Sequence, residues 1–334
     1  MQACSSQFFV LEHYLRLATR KPDHWLSALQ VLTGSSSLSQ EVMCSEGKEG
    51  FFARLAFLHA ERINVCGIYL HSPLKISGSN ADALAIIMPL QGTVGFKVGS
   101  RNFLCAPRIP FVLDRNTEFC AAVSEATHVF IVQLAEPFSQ ESGALPESGD
   151  PNLTGILESF LVETPFFRNH KHAMERVECL ELVLARYGEN GVALNPKERI
   201  KELVGNDRRV CRALHLINER LDQEFEIESI ARDSGLSHRN LYYLMKKYVG
   251  MTPYNYWRSR RLIKVRESLV CSDQESPVIA NHALRWGFNH LGRFSSYYLE
   301  HFGEYPSETI SSLESLRGYA EEKSYLLNNT DRVS

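Results

Sequence analysis

The stretch IESIARDSGLSHRNLYYLMKKY (227–248) decides how the C-terminal third of this chain folds. Ala231 puts a small side chain where two helices would cross closely. Gly235 follows four residues later, where a tight turn requires φ > 0. Leu236 fits under that turn. Ser237 is a good N-cap, because its hydroxyl accepts from a backbone N–H that the next helix leaves free. Ile230, Leu241 and Leu244 then point into a shared core. This is helix-turn-helix spacing. A small residue and a glycine four apart recur by chance, so the reading needs a second copy.

SPVIANHALRWGFNHLGRFSSYYLEHFG (276–303) supplies it. Ala283 and Gly287 repeat the small-residue-to-glycine step, and Phe288 takes the place of Leu236. Phe294, Tyr297 and Tyr298 furnish the core of the following helix. The turn is one residue longer than in the first unit. His282 stands where an apolar residue is expected and reads as a core histidine bonded locally. Between the units, GMTPYNYWRSRRLIKVRESLVCS (250–272) begins a helix with Thr252 as N-cap and Pro253 at the first helical position. Tyr256, Leu262, Val265 and Leu269 line one side, with Arg258, Arg261 and Lys264 on other faces. A helix of this length joins the two units rigidly and fixes their separation.

With these residues in view, 206–310 resembles the paired helix-turn-helix domain of AraC/XylS-type transcription regulators. The segments that carry the likeness are IARDSGLSHRNLYYLMKKYVGMTPYNYWRSRRL and ALRWGFNHLGRFSSYYLEHFGEYPSET. In the second, Gly287-Phe288, Phe294, Phe302-Gly303 and Pro306-Ser307 are the specific marks. The end of the segment is also similar to regulators of ethanolamine-utilisation operons. The resemblance implies a sequence-specific DNA-binding protein, an activator in contact with RNA polymerase, and a β-rich effector-binding and dimerising partner domain. The residues themselves do not exclude a repressor, or an effector-independent regulator controlled by its abundance or a protein partner.

A recognition helix enters the major groove by its N-terminal end. In the first unit the outward positions there are His238, Arg239, Tyr242 and Tyr243, with Asn240 beside them. Arg239 suits a guanine edge, and Asn240 an adenine edge if it points outward. Lys246 and Lys247 lie further along and suit phosphates. In the second unit the matching positions are His290, Leu291, Arg293 and Ser296, with Asn289 at the helix start; Leu291 suits a thymine methyl. Arg258 and Arg261 on the joining helix suit phosphates. For any one of these the plain alternative is a solvated side chain. Glu300 makes the second unit less basic than the first.

Charge placement agrees. Residues 1–200 carry 17 Lys and Arg against 21 Asp and Glu, residues 201–310 carry 16 against 14, and 311–334 carry 3 against 4. From Ser237 to Arg266 there are eight cations and no carboxylate, in a chain with 39. Either a solvated helix face or a surface facing phosphate explains such a run; the motifs around it favour the second. The formal net charge of −3 argues against general coating of nucleic acid.

The 334 residues suffice for two domains. The N-terminus predicts helices over 7–19 and 22–32, the latter starting at Pro22 and Asp23. From about 51 to 135 short alternating runs, among them a hairpin in TVGFKVGSRNFLCA with a Gly-Ser turn, predict a β-sandwich or cupin-like barrel. Residues 153–163 and 170–188 read as a helical hairpin that would dimerise the chain. The expected fold is therefore α+β: a 1–190 effector-binding and dimerisation domain, a 191–205 linker, an all-α DNA-binding domain over 206–310, and a flexible tail over 311–334. No run of 18 apolar residues and no leader pattern are present, so a cytoplasmic, nucleoid-associated protein without membrane contact is expected. Eight scattered cysteines read as reduced thiols.

An enzyme is the competing class. A metal-bearing cupin needs clustered histidines with a carboxylate, and 51–135 offers His59, His71 and His128 in isolation. His170 and His172 fall in a helix, where i and i+2 diverge. No GxSxG, phosphate loop or dinucleotide motif occurs, so no catalysis, metal or cofactor is expected. Cys66, Cys105 and Cys120 read as small buried residues. Phe51, Phe52, Phe96, Phe103, Phe111, Phe119 and Phe130 suit core packing or an apolar effector; Arg54, Arg62, Arg101 and Arg108 suit an acidic one. The residues do not choose.

Overall fold

In the computed structural model, which describes residues 9–43, 50–135, 149–190, 207–272 and 277–330, alternation along Thr127–Leu134 organises the N-terminal domain. Val129, Ile131 and Gln133 face one side, and Phe130, Val132 and Leu134 the other. A strand paired on both edges and buried on both faces must read this way. The strands in chain order are β1 (Leu15–Thr19), β2 (Ser39–Val42), β3 (Ala53–His59), β4 (Ile63–Leu70), β5 (Leu74–Ser79) and β6 (Leu84–Gln91). They continue with β7 (Val94–Val98), β8 (Arg101–Cys105), β9 (Phe111–Leu113), β10 (Glu118–Val123) and β11 (Thr127–Leu134). One sheet has the order β1-β3-β4-β11-β6-β9, the other β2-β5-β10-β7-β8, and the ladders are antiparallel. The two form a cupin-like sandwich, with the β7–β8 hairpin turning at Gly99-Ser100.

The outer face of the six-stranded sheet is covered by a helical hairpin, α2 (Pro151–Glu163) and α3 (His170–Asn190). Phe130 stacks on Phe160 there, ring centroids 5.7 Å apart. Ahead of the strands, α1 (Pro22–Thr33) starts at Pro22 as expected and ends at Gly34 in the left-handed region. The described residues from 9 onward do not form the expected helix over 7–19. A 3-10 turn at Glu12–Tyr14 leads into β1, which pairs with β3. From Leu15 the sequence also reads with period two, and a free sheet edge decides for the strand.

The C-terminal domain comprises α4 (Arg208–Glu219), α5 (Ile227–Ser234), α6 (His238–Val249), α7 (Pro253–Val270), α8 (Ile279–Arg285), α9 (Leu291–Phe302) and α10 (Pro306–Thr330). The expected flexible tail over 311–334 is thus corrected over 311–330, where the helix that starts at Pro306 continues. Leu313 and Leu316 are buried in the core that also holds Trp25 of α1 and Val270 of α7. Two apolar residues three apart suffice to dock a helix once a receiving surface exists. The predicted 191–205 linker lies outside the described residues. No helix among the described residues is long and apolar enough to cross a membrane.

The two domains meet along α7. Arg260, almost wholly buried, pairs with Glu12 and donates to Asn218 Oδ1 at 2.9 Å. Arg54 reaches Glu267 at 2.7 Å, and Arg16 reaches Glu304 at 2.6 Å. Beside them the buried rings of His13 and His301 lie 5.2 Å apart, and His301 Nε2 is 3.3 Å from Ser259 Oγ. Burial holds both imidazoles neutral, His301 down to about 3, and the guanidiniums of Arg260 and Arg266 add to the effect. Folded-state values below the unfolded one mean that the unfolded chain takes up more protons as pH falls below about 6.5. Urea unfolding should therefore give a lower stability at about pH 5 than at about pH 7, with further loss toward pH 3. Equal stabilities at the first two pH values would contradict this account of the interface.

Candidate nucleic-acid interface

Both turns are built by the same backbone device. Gly235 has φ 74°; its N–H bonds Arg232 O at 3.0 Å, and Leu236 N–H bonds Ala231 O at 2.9 Å. Gly287 has φ 78°; its N–H bonds Leu284 O at 2.9 Å, and Phe288 N–H bonds Ala283 O at 3.0 Å. The left-handed glycine lets the chain reverse while the last carbonyls of α5 and α8 are satisfied. Ala231 and Ala283 are buried at the crossings, and Leu236 lies under the first turn. Ser237 Oγ accepts from Asn240 N–H at 3.3 Å and starts α6. The second unit differs here. His290 is the N-cap without a side-chain bond, α9 begins at Leu291, and Asn289 lies in the turn, one residue before the cap, rather than at the helix start. His282 Nδ1 is 2.8 Å from Ser268 Oγ, the local bond its position required.

Leu241 and Met245 bury one face of α6 completely. The opposite face therefore presents His238, Arg239, Asn240, Tyr243, Lys246 and Lys247 to solvent, while Tyr242 is half-buried against His238, ring centroids 5.1 Å apart. On α9, Phe294 and Tyr298 point inward, and His290, Leu291, Arg293 and Ser296 are exposed, as is Asn289 ahead of them. Tyr243 is 62% exposed and Leu291 42%, high for residues of their size. His238, Arg239 and Asn240 of the first set and Leu291 and Arg293 of the second lie at a helix N-terminus, where the backbone dipole favours anions, whereas Lys246 and Lys247 lie in the last turn of α6. The α6 set contains no carboxylate; α9 carries exposed Glu300.

The joining helix corrects one expectation. Arg261 does not face outward. Its Nε donates to Leu221 O at 2.5 Å and its Nη2 to Gln223 O at 2.7 Å, and the guanidinium stacks 3.8 Å from the Trp257 ring centroid. It also lies directly beneath Gly287. Arg261 is thus a brace from the end of α4 to the turn of the second unit, with no donor directed at phosphate. The end of α4 leaves carbonyls that need donors, and a fork of five N–H groups meets that need. Arg258 is half-buried, 4.2 Å over the Tyr297 ring, and retains an edge to solvent. Of the eight cations in the acid-free run, Arg260, Arg261 and Arg266 are buried. Their partners Glu12 and Glu304 escaped notice in the sequence, since Arg260 and Glu12 stand 248 positions apart and share no motif.

Elsewhere the chemistry is sparse. Among the described residues no three His, Cys, Asp or Glu side chains converge as a metal site would require. His170 Nδ1 is 3.2 Å from Tyr14 Oη, and His172 Nδ1 accepts from Arg168 N–H at 3.4 Å. Cys66 and Cys105 are buried, and burial pushes both thiols up, Cys105 to about 11.

Residues 230–312 match the family model of a helix-turn-helix domain. The XylDLEGF operon transcriptional activator of Pseudomonas putida is 39% identical over 99 residues, 30% of this chain and 31% of that one. The probable thc operon regulatory protein of Rhodococcus erythropolis is 30% identical over 139 residues, 41% of this chain and 40% of that protein. The HTH-type transcriptional activator RhaS of Enterobacter sp. (strain 638) is 29% identical over 117 residues, covering 35% and 41%. The chain thus spans less than half the length of each of these relatives. Among solved structures, the AraC-like transcriptional activator CuxR aligns with 76% of this chain and 96% of its own, at 16% identity and a TM-score of 0.41.

Proposed function

We propose that this protein is an AraC/XylS-type transcription regulator, acting as an activator, that reads promoter DNA through two helix-turn-helix units per chain. The observation that carries this reading is the repeated turn, with an exposed polar helix N-terminus after each copy. The relatives whose helix-turn-helix segment it shares are described as transcriptional activators. In this reading Arg239 and Arg293 contact bases, and His238, Asn240, Tyr242, Tyr243, Asn289, His290, Leu291 and Ser296 line the same grooves. Lys246, Lys247 and Arg258 hold phosphates. The rigid α7 spaces the units for successive major grooves on one DNA face, about 10 base pairs apart.

The N-terminal domain is the control element. A small molecule in the sandwich, or dimerisation through α2 and α3, changes how the DNA-binding domain is presented by shifting populations. Leu182, 69% exposed on α3, is available to such a dimer. The active state contacts RNA polymerase, in the cytoplasm on the nucleoid. The likeness to ethanolamine-operon regulators plays no part in this reading. DNase footprinting of genomic fragments tests it: two protected direct or inverted sites, each about two helical turns long, are expected. No specific protection at moderate salt would overturn it.

The two arginines should differ. Arg239→Ala and Arg293→Ala should each weaken operator binding, roughly 5–150-fold for a lost base contact. The larger loss is expected at Arg239, because α9 carries Glu300, which repels phosphate, and α6 carries no carboxylate. A larger loss at Arg293 in a mobility-shift titration would contradict that ranking.

A further inference from the structure

We infer that the cavity between the two sheets takes a neutral, mainly apolar small molecule bearing a single hydroxyl group. This rests on reading the N-terminal domain as effector-binding. The space between the sheets, counted together with its opening to solvent, amounts to about 710 Å³. Its walls are aliphatic and aromatic, with Leu38, Ile87, Phe96 and Phe119 among them. Among the described residues no Lys, Arg, His, Asp or Glu lines it.

The arginines that an acidic effector would need are elsewhere. Arg54 pairs with Glu267 at 2.7 Å and lies over the Phe9 ring, and Arg108 pairs with Glu158 at 2.8 Å. Arg62 and Arg101 are exposed at strand ends. A carboxylate placed in this cavity would lose its hydration and gain no counter-charge, which excludes acids.

Two side chains of the lining carry a polar atom without a partner among the described residues. Trp25 is fully buried, and its Nε1 has no hydrogen-bond partner among the described residues. Gln133, 5% exposed, commits its amide nitrogen to Thr33 O at 3.4 Å and leaves Oε1 without a partner. Asn80 and Thr33, also in the wall, are bonded, and Ser35 adds one neutral hydroxyl to it. Asn80 donates to Ala83 O and Asp114 O and accepts from Thr117 N–H, and the Thr33 hydroxyl donates to Leu29 O. An indole N–H only donates and an amide oxygen only accepts. A hydroxyl does both, so a single hydroxyl on an apolar frame can answer either orphaned atom.

The test uses the full-length protein with three probes of one frame: 1-naphthol, naphthalene and 1-naphthoate. Melting temperature and calorimetric titration at about pH 7.5, where the acid is ionised, are the readouts. The expected result is that 1-naphthol raises the melting temperature and binds about fivefold or more tighter than naphthalene, while 1-naphthoate does not bind. In Gln133→Leu the preference of 1-naphthol over naphthalene should shrink, and Trp25→Phe should do the same if the first variant folds poorly. Equal or tighter binding of 1-naphthoate overturns the inference, as do equal affinities of naphthol and naphthalene for the unaltered protein, or no binding of any probe. Footprinting of the same preparation separates the two readings. Specific protection of DNA without probe binding overturns the ligand assignment alone, and probe binding without protection overturns the regulator alone.

Discussion

Replacing Arg266 by alanine is expected to destabilise the protein by about 3–5 kcal/mol, the range for breaking one side of a buried ion pair. Arg266 is wholly buried. Its Nε donates to Leu15 O of β1 at 3.0 Å, its Nη2 pairs with Glu304 at 2.8 Å, and the guanidinium lies 4.9 Å over the Phe302 ring. One side chain on α7 thus holds the N-terminal sheet and the end of the second helix-turn-helix unit. Burial alone would raise the Glu304 carboxyl, but Arg266 and Arg16 outweigh it and hold the group down at about 2. With Arg266 gone, Arg16 remains 2.6 Å away and Thr309 still donates to Glu304. The loss therefore falls toward the lower end of the range. Urea denaturation measures it, and a double-mutant cycle with Glu304→Gln should return a coupling above about 1 kcal/mol. A loss below about 1 kcal/mol would mean that the contact between the domains is made differently. Arg266→Lys, which keeps the charge and loses the fork, should lie between the two extremes.

The second large effect separates two glycines that look alike in sequence. Gly235 and Gly287 both end a first helix with φ near +75°, and alanine in that conformation costs roughly 1–2 kcal/mol. A Cβ on Gly235 would meet open space. On Gly287 it would collide with the guanidinium of Arg261. Moving that group breaks its bonds to Leu221 O and Gln223 O, which are charge-assisted and worth about 1.5–3 kcal/mol each. Gly235→Ala should therefore cost about 1–2 kcal/mol, and Gly287→Ala about 3 kcal/mol or more. The excess should vanish in an Arg261→Ala background, since the obstructing group is then absent. Equal costs of the two glycine substitutions in the native background would show that Arg261 does not brace the second turn.

The helix-turn-helix units were legible because everything that defines them is local. The turn bonds of Gly235 and Leu236 reach back three and five residues, Ser237 caps three residues ahead, and Ala231 sits one helical turn before the glycine. Such interactions leave a spacing that survives in a linear string, and the second copy made chance agreement implausible. The sandwich was legible for the same reason, since alternation along 127–134 is a property of neighbours. That α9 starts at Leu291, beyond Asn289, was not legible, because no side chain caps it and nothing local marks the boundary.

Other features depend on partners far along the chain. Residues 15–19 carry apolar spacing compatible with helix or strand, and the free edge of β3 chose the strand. The polar segment beyond 311 became ordered helix because α1 and α7 offer Leu313 and Leu316 a surface, which composition cannot reveal.

By itself, then, the sequence determined that two helix-turn-helix units stand on one rigid helix behind a β-rich domain, because caps, turn glycines and periodicity act over a few residues. Which cations of the acid-free run turn outward, and that no charge among the described residues faces the sandwich cavity, were decided by the tertiary structure alone. Desolvation is the physical reason. A guanidinium such as that of Arg260 or Arg266 can be buried only where a carboxylate from a distant segment is brought against it, and that meeting exists only once the domains have packed.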